Sequence, residues 1–327
     1  MGFEYPLSSH RVCVAVGRPS RADVTASVAA LVRAGERFVE IRLDYIATAR
    51  EGLRAVAETS AAWPDVRVLA TCRRAACGGR FAGTVDEELD VLEHAIAAGA
   101  WGIDVAIESA EAAAARVDTV RRGACLVISS HDFERTPPLD TVIARLRSVP
   151  ADVYKIATTA RTLNDSVRTL ALPGAYPGVP IVGLAMGDLG VATRVLATAR
   201  GHRWTYAAPD ADAVTAPGQI SVDRLRCVYR IDAISASTAI VAAVGGRADA
   251  HEYAERANLA FRRDGADAVC IPVVVSGMMP AADVWDAARA LPADAIVLAG
   301  PLGNILPRQR GCRVGDASSS ALIGRDA

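Results

Sequence analysis

Lysine is almost absent from this sequence. Among its 327 residues are 36 lysines and arginines, and only one of these, Lys155, is a lysine, so arginine supplies every other basic side chain. The basic residues balance 37 acidic ones to a net charge of −1. Without a basic excess or a stripe of basic and aromatic residues, the sequence does not predict nucleic-acid binding.

Long apolar runs are also missing. No stretch of about 18 uncharged apolar residues occurs that could span a bilayer, so no membrane association is expected. Residues 1–17 lack the basic and then apolar succession of a signal peptide, and the start MGFEYP lacks the serine or threonine of a myristoylation signal. We therefore expect a cytoplasmic protein.

Paired cysteines and histidines, which mark metal and redox sites, are lacking too. The seven cysteines are scattered without a CxxC spacing, and the five histidines form no HExxH or i, i+4 pair. The sequence thus predicts reduced, mostly buried thiols and no metal site. Neither GxGxxG nor GxxxxGK[ST] occurs, so no cofactor is expected.

The sequence does contain a repeated alternation of two patterns. Alanine-rich segments with apolar residues at every third and fourth position, ending on glycine, predict helices. Between them lie near-continuous apolar runs that are typical of parallel strands covered on both faces. Eight such units in about 215 residues favour a (β/α)₈ barrel in the α/β class, with a doubly wound sheet as the alternative. The eight runs are 11–16, 37–46, 67–73, 101–107, 125–131, 153–158, 181–187 and 203–209.

The alternation restarts near residue 229. Runs at 240–246, 267–275 and 294–300 predict three further strands, and the patterns at 251–265 and 280–291 predict helices. We therefore predict two domains, a barrel over 1–228 and a small α/β domain over 229–327.

Polar side chains recur within or just after the predicted strands. The carboxyl ends of barrel strands meet at one rim, where barrel enzymes carry their active sites. Burial of so many polar groups without partners would cost several kcal/mol, so we predict a site at this rim, although each charge could instead be satisfied within the fold. The residues are Glu40, Arg42, Asp44, Arg73, His131, Asp132, Lys155, Met186, Arg194, Thr215 and Gln219.

Lys155 and His131 suggest the chemistry. Lys155 lies in the apolar run VYKIAT, where desolvation favours a neutral amine that can form a Schiff base with a carbonyl. Arginine could not replace it, because a guanidinium stays charged; the alternative is an amine that reaches the rim and pairs with a carboxylate. His131 ends the preceding run, about 4.8 Å away in a sheet, and can move protons near neutral pH. Together they suit proton removal next to a ketone and loss of a leaving group, with rim arginines holding a carboxylate.

Six segments in order along residues 1–225 resemble the signatures of type I 3-dehydroquinate dehydratases. They are VEIRLDYI, TCRRA followed by GG, ISSHDFERTPP, VYKIATTARTLND, AMGDLGVATR and TAPGQI. The resemblance implies a (β/α)₈ barrel that converts 3-dehydroquinate to 3-dehydroshikimate and water, in the shikimate pathway of aromatic amino acid biosynthesis. It implies that Lys155 is the Schiff-base lysine and that His131 is the general acid/base.

The resemblance also implies seven substrate-binding residues. They are Arg194, Gln219 and Thr215 at the carboxylate end, Glu40, Arg42 and Arg73 at the ring hydroxyls, and Met186, which packs against the substrate. The partner it implies is a small molecule, 3-dehydroquinate. A homodimer is the assembly we consider, although the sequence does not fix the oligomeric state.

Two departures from the family pattern bear on turnover. Cys77 stands before Gly78 where the family usually has glutamate, and the acidic pair after the fourth strand is reduced to Asp104, followed by Val105 and Ala106. These losses remove support for the histidine. A catalytically impaired pseudoenzyme that binds quinate-like ligands, or another Schiff-base lyase or aldolase on the same barrel, therefore stays open.

The second unit resembles the start of shikimate dehydrogenase through STAIVAAVGGRADAHEYAERANLAF and DAVCIPVVV. That family requires a pair of serines, where Glu252 and Ala254 stand here, and a catalytic lysine, which this part of the chain lacks. We also expect no nicotinamide-binding domain. We predict a degenerate, non-reducing remnant used for packing or association.

Overall fold

The computed structural model describes residues 10–275, 291 and 293–300. Its larger part is a ring of eight strands, each followed by helical structure. The strands are β1 (Val12–Val16), β2 (Phe38–Arg42), β3 (Arg67–Thr71), β4 (Gly102–Ala106), β5 (Cys125–Asp132), β6 (Val153–Thr159), β7 (Ile181–Met186) and β8 (Thr205–Ala207).

The helices of this part lie between the strands and after β8. They are α1 (Arg21–Arg33), α2 (Ala49–Ala62), α3 (Val85–Ala97), α4 (Ile107–Ala112), α5 (Ala114–Arg121), α6 (Leu139–Leu146), α7 (Leu163–Ala175), α8 (Val191–Val195) and α9 (Val222–Cys227). Hydroxyl side chains start several of them. Thr84 caps α3 and Thr162 caps α7, each in a reciprocal pair with the acidic residue three positions later, which satisfies two of the free amides at each helix start.

All neighbouring strands pair in parallel, in the order β7-β6-β5-β4-β3-β2-β1-β8. The ring closes between β7 and β8, where the Arg203 amide donates to the Ile181 carbonyl at 2.9 Å. Buried His202 fills the rest of this seam, because its Nδ1 accepts from the Gly183 amide at 2.9 Å. The predicted barrel and its eight strands are confirmed.

Apolar residues fill the barrel interior near the amino ends of the strands, and charged groups occupy the interior near the carboxyl ends. Phe38 packs edge-on against Trp101 and Trp204, with ring centroids 5.6 and 5.3 Å apart. Such contacts exclude water from the base of the barrel. Side chains placed higher along the same strands therefore reach solvent only through the mouth at the carboxyl ends.

A second, smaller sheet follows the barrel. It contains β9 (Ala239–Gly245), β10 (Ala268–Val274) and β11 (Ala295–Leu298) in the parallel order β10-β9-β11, and α10 (Arg247–Asp264) connects β9 to β10. The predicted small α/β unit is thus present, and its helix starts four residues earlier than the sequence pattern indicates. The helix predicted at 280–291 lies almost wholly outside the described residues.

Some local predictions need adjustment. The second strand ends at Arg42 because Leu43–Tyr45 form a 3-10 turn, and β8 has only three residues. Six cysteines are described, all as free thiols, and four of them are buried. Among the described helices, none is both long and apolar enough to cross a membrane.

Candidate active site

One cavity at the carboxyl ends of the barrel strands is lined by all nine residues that the sequence assigned to catalysis or substrate binding. It encloses about 550 Å³, including the part open to solvent. The nine are Glu40, Arg42, Arg73, His131, Lys155, Met186, Arg194, Thr215 and Gln219. Of the other two rim residues, Asp44 is buried beside Arg42, and Asp132 accepts from the backbone amides of its own loop.

Lys155 lies at the floor of this cavity, 5% exposed. Its Nζ is 2.8 Å from Asp104 Oδ2 and 3.4 Å from Glu40 Oε1, and it sits 4.0 Å from the centre of the Tyr206 ring. Two carboxylates and an aromatic face therefore hold the end of the Lys155 side chain in place. The sequence argument left open a pairing of the amine with a carboxylate, and the structure shows two such partners, on β2 and β4, beside the ring of Tyr206 on β8.

Asp104 joins the lysine to the rest of the site. Its Oδ1 accepts from Arg73 Nη2 at 2.8 Å and from the Ser129 hydroxyl at 2.5 Å. Burial disfavours the charged carboxylate, yet Lys155 and Arg73 together bring the pKa of Asp104 well below its usual value. A permanently ionised Asp104 therefore fixes both cations.

His131 stands nearer the mouth than Lys155. Ser129 pairs with Lys155 in the β5-β6 ladder, and His131 follows two residues later, on the same face of the strand. Arg73 Nη1 lies 2.5 Å from its Nε2. Burial first, and then Arg73 and Lys155, lower the pKa of His131 well below its ordinary value, so the imidazole is neutral and ready to accept a proton.

The surroundings of His131 reflect the first departure from the family pattern. Among the described residues, no carboxylate hydrogen-bonds to its ring. Cys77 ends a 3-10 turn with its Sγ 3.6 Å from Arg74 Nη2, and the cavity lining includes Gly78 but not Cys77. Burial raises the pKa of the Cys77 thiol, which argues against this residue as a second nucleophile.

Phe133 covers His131 from the outer side. Its ring stacks on the imidazole at a centroid distance of 5.9 Å, although 48% of Phe133 remains exposed. The ring rests on Gly78, where the backbone is left-handed (φ 78°) and an added Cβ would lie 2.1 Å from Phe133 Cε2. Glycine at this position therefore permits the stacking.

Most cations of the site have acidic partners. Arg42 donates to both oxygens of Asp44, at 2.9 and 2.7 Å. Arg73 pairs with Asp104, and Lys155 with Asp104 and Glu40.

Arg194 is the exception. It is 1% exposed, and within the part of the chain that the structure describes its Nε has no hydrogen-bond partner and its Nη2 donates only to the Pro217 carbonyl, at 3.3 Å. Burial lowers the pKa of Arg194 to about 10, still high enough to keep the charge at neutral pH. The cavity thus has one cation more than its own acidic residues neutralise, and an anionic ligand would supply the missing partner.

The loop after β8 completes this end of the cavity. Gln219 Oε1 accepts from the amide and the hydroxyl of Thr215, at 2.8 and 3.2 Å, which fixes both side chains beside Arg194. Gly218 (φ 69°) packs so closely on the backbone of Gly187 that an added Cβ would lie 2.7 Å from its carbonyl oxygen. Met186, the last residue of β7, directly precedes Gly187.

Sequence reasoning did not assign four side chains of this site: Asp104, Ser129, Phe133 and Tyr206. Asp104 gives the same signal as Lys155, a charge within an apolar strand. Tyr206 and Ser129 resemble ordinary strand residues, so no local pattern marks them. No group of three or more histidine, cysteine or acidic residues that could share a metal ion occurs within the described ranges.

Comparison with known proteins supports the interpretation of this geometry. The sequence model of the Type I 3-dehydroquinase family matches residues 12–236. A 3-dehydroquinate dehydratase of Dehalococcoides mccartyi is 36% identical over 200 residues, which cover 60% of this chain and 86% of that protein.

Two solved structures share the fold. The type I 3-dehydroquinate dehydratase of Clostridium difficile superposes with a TM-score of 0.62 at 24% identity, covering 68% of this chain and 92% of its own. The dehydroquinate dehydratase and shikimate dehydrogenase part of AroM from S. pombe has a TM-score of 0.56 at 19% identity. That match covers 90% of this chain and 57% of the other, so the shared fold extends beyond the barrel. With the family match over more than half its length, this chain belongs to the type I 3-dehydroquinase family.

Proposed function

We propose that this protein is a 3-dehydroquinate dehydratase, a hydro-lyase that converts 3-dehydroquinate to 3-dehydroshikimate and water with Lys155 as its Schiff-base residue. The observation that carries the proposal is that one cavity holds both the chain's only lysine and a buried arginine, Arg194, that has no acidic partner among the described residues. The substrate has the two complementary groups, a ketone for the amine and a carboxylate for the guanidinium.

The first step needs the amine of Lys155 without its proton. Attack on the substrate ketone forms a carbinolamine, and loss of water from it gives the imine. Arg73 bonds both His131 and Asp104, so the imidazole and the lysine's acidic partner are held in one network. We infer that neutral His131 takes the proton from the amine once the ketone is in place. It returns that proton when the carbinolamine loses its hydroxyl as water, so the imidazole is neutral again before the second step.

The second step is elimination. The imine acidifies the adjacent carbon, and neutral His131 accepts the proton from it. The electrons form the new double bond and expel the hydroxyl one carbon further on, which leaves as water with the proton that His131 has just accepted. Hydrolysis of the imine then releases the product and restores Lys155, so that one water is lost in the complete cycle.

The remaining lining residues would hold the substrate at both ends. Arg194, Thr215 and Gln219 form the carboxylate end, and Met186 packs beside the ring. Glu40, Arg42 and Arg73 face the ring hydroxyls. Because Thr71 donates to Glu40 Oε1 at 2.8 Å and Asp44 clamps Arg42, these groups are positioned before the substrate arrives.

Trapping of the imine tests the mechanism. Borohydride added during turnover of 3-dehydroquinate should reduce the imine to a stable amine on Lys155, the only lysine in the chain. Mass spectrometry of the digested protein would locate the adduct, and Lys155→Met provides the control without a nucleophile. Turnover with an unmodified Lys155 after reduction would reject the Schiff-base mechanism.

A second candidate is a protein that binds quinate-like ligands with little turnover. The ring of His131 faces Arg73 where the family has an acidic residue, and Lys155 is held by two carboxylates. Ligand affinity measured by calorimetry beside the rise in ultraviolet absorbance of the conjugated product separates the two. Affinity without an absorbance change would favour the binder.

The second unit would be a remnant of a shikimate dehydrogenase substrate domain. Its resemblance in sequence and its parallel β9-α10-β10 fold support this origin, with domains over 1–228 and 229–327. NADP-dependent reduction of 3-dehydroshikimate by the pure protein would contradict the remnant. Cytoplasmic location and a homodimeric state remain predictions from the sequence.

A further inference from the structure

Helix α8 differs from the other helices around the barrel. It has five residues, Val191 to Val195, and all five are buried. A helix on the outside of a barrel normally buries one face only, and α1 follows this rule with Val24, Val28 and Leu31 buried among 13 residues. Something must therefore cover the side of α8 that would face solvent.

The second unit provides that cover. Strand β10 packs against α8 and against the 3-10 turn Asp188–Gly190 that leads into it. Alternate residues on one face of the small sheet, such as Ile271 and Val273, belong to the same continuous apolar core as the barrel. Val241 and Cys270 on the opposite face pack in a separate cluster with α10. The barrel thus covers the sheet face that α10 leaves open.

This contact lies directly behind the carboxylate end of the cavity. Arg247, the first residue of α10, donates from Nε to Asp188 Oδ2 at 2.7 Å and from Nη2 to the other carboxylate oxygen. Asp188 follows Met186 by two residues and precedes Arg194 by six. The Gly187 amide and Arg194 Nη2 both donate to the Pro217 carbonyl, at 3.4 and 3.3 Å, so hydrogen bonds link the turn and the arginine to the loop after β8.

We propose that the second unit helps to shape the ligand site of the barrel. Its strand β10 and Arg247 position the turn Asp188–Gly190 and helix α8. Because Arg194 lies on α8, these contacts orient its guanidinium for a carboxylate ligand. Arg247 is a positioning residue and touches no ligand. The inference rests on the proposed function only in its choice of ligand. It gives residues beyond 229 a role that requires no reductase chemistry.

The test compares variants of the full chain by their dissociation constant for quinate, measured by calorimetry. Quinate carries a carboxylate but no ketone, so its binding is measurable whether or not the protein turns over 3-dehydroquinate. Arg247→Ala should weaken binding by about two- to fivefold, a small effect because the ion pair that it removes is mostly exposed. Arg256→Ala is the matched control, because Arg256 lies on the same helix and, among the described residues, forms its ion pair with Glu252 of that helix.

A second pair of variants tests the apolar contact. Val273→Ala shortens a side chain on the barrel side of the sheet, and Val241→Ala makes the same change on the α10 side. Both should lower stability to a similar extent, but only Val273→Ala should weaken quinate binding. The double variant Asp188→Arg with Arg247→Asp should recover part of the lost affinity.

The results distinguish this inference from the proposed function. Quinate constants for Arg247→Ala and Val273→Ala equal to those of their controls would overturn the inference even if the dehydratase is active. Failure of the wild type to bind quinate would overturn it as well. A normal quinate response without turnover of 3-dehydroquinate would reject the proposed function and leave the inference supported.

Discussion

Replacement of Arg194 by methionine should stabilise the ligand-free protein while it weakens ligand binding. Methionine keeps an unbranched side chain of similar reach and removes the charge. Burial lowers the pKa of Arg194 from 12.5 to about 10, which corresponds to a penalty of about 3 kcal/mol for keeping the guanidinium charged inside the protein. Loss of the hydrogen bond to Pro217 offsets about 1 kcal/mol of this.

We therefore expect the free energy of unfolding of Arg194→Met to rise by about 1–2 kcal/mol, or the melting temperature by a few degrees. Binding should change in the opposite direction. A charge-assisted hydrogen bond contributes about 1.5–3 kcal/mol, so KM for 3-dehydroquinate should rise by about 10- to 100-fold. Denaturant unfolding of the ligand-free protein and steady-state kinetics measure the two effects.

Arg226→Met is the matched control, because Arg226 bonds both oxygens of buried Glu36. Its removal leaves a buried carboxylate without a partner and should destabilise the protein. If Arg194→Met is destabilised like Arg226→Met and keeps its KM, the reasoning about an unpaired cation that awaits a carboxylate is refuted.

Three further outcomes follow from the charges of the barrel. Because its pKa is lowered, His131 stays neutral well below pH 6.5, so loss of kcat/KM on acidification should begin clearly below that pH; an inflection at or above 6.5 would contradict its neutral state. Burial lowers the pKa of His202 to about 4. Below about pH 6.5 the unfolded chain therefore binds a proton at this residue that the folded chain does not bind. The free energy of unfolding should fall by up to about 3 kcal/mol between pH 6.5 and 4. Denaturant unfolding of His202→Gln should show a flatter pH dependence than wild type, whereas the exposed control His94→Gln should not. Asp104→Asn leaves Arg73 and Lys155 without their shared carboxylate and should cost about 3 kcal/mol of stability; an unchanged unfolding midpoint would disprove the bridging role.

The local pattern predicts elements well here because each strand is covered on both faces. Apolar runs such as 125–131 leave little ambiguity, and the glycines and hydroxyl caps mark where helices end and begin. The predicted ends of the strands are wrong where tertiary contacts determine them. Leu43 to Tyr45 continue the second run and yet form a 3-10 turn, and β8 has only three residues of the run 203–209.

The rim residues were predictable for the same reason. A charge within or after an apolar strand is costly to bury without a partner. That signal identified charged lining residues such as Lys155 and Arg194, but not Phe133 or Tyr206, which also line the cavity. The sequence could not show which of these charged residues lacks a partner and is therefore free to bind a ligand, because ion pairs depend on the tertiary structure. Arg42 and Arg194 look alike in sequence, but one is clamped by Asp44 and the other has no carboxylate partner among the described residues.

By itself the sequence determined the parallel strands and their helices, the single lysine on the sixth strand, and the polar residues at strand ends, because these depend on local periodicity and residue type. The tertiary structure alone decided that Lys155 meets Glu40, 115 positions away, that Asp104 joins the lysine to Arg73, and that the second unit covers α8. Such contacts join distant segments, and only closure of the barrel and burial of the small sheet's open face bring them together.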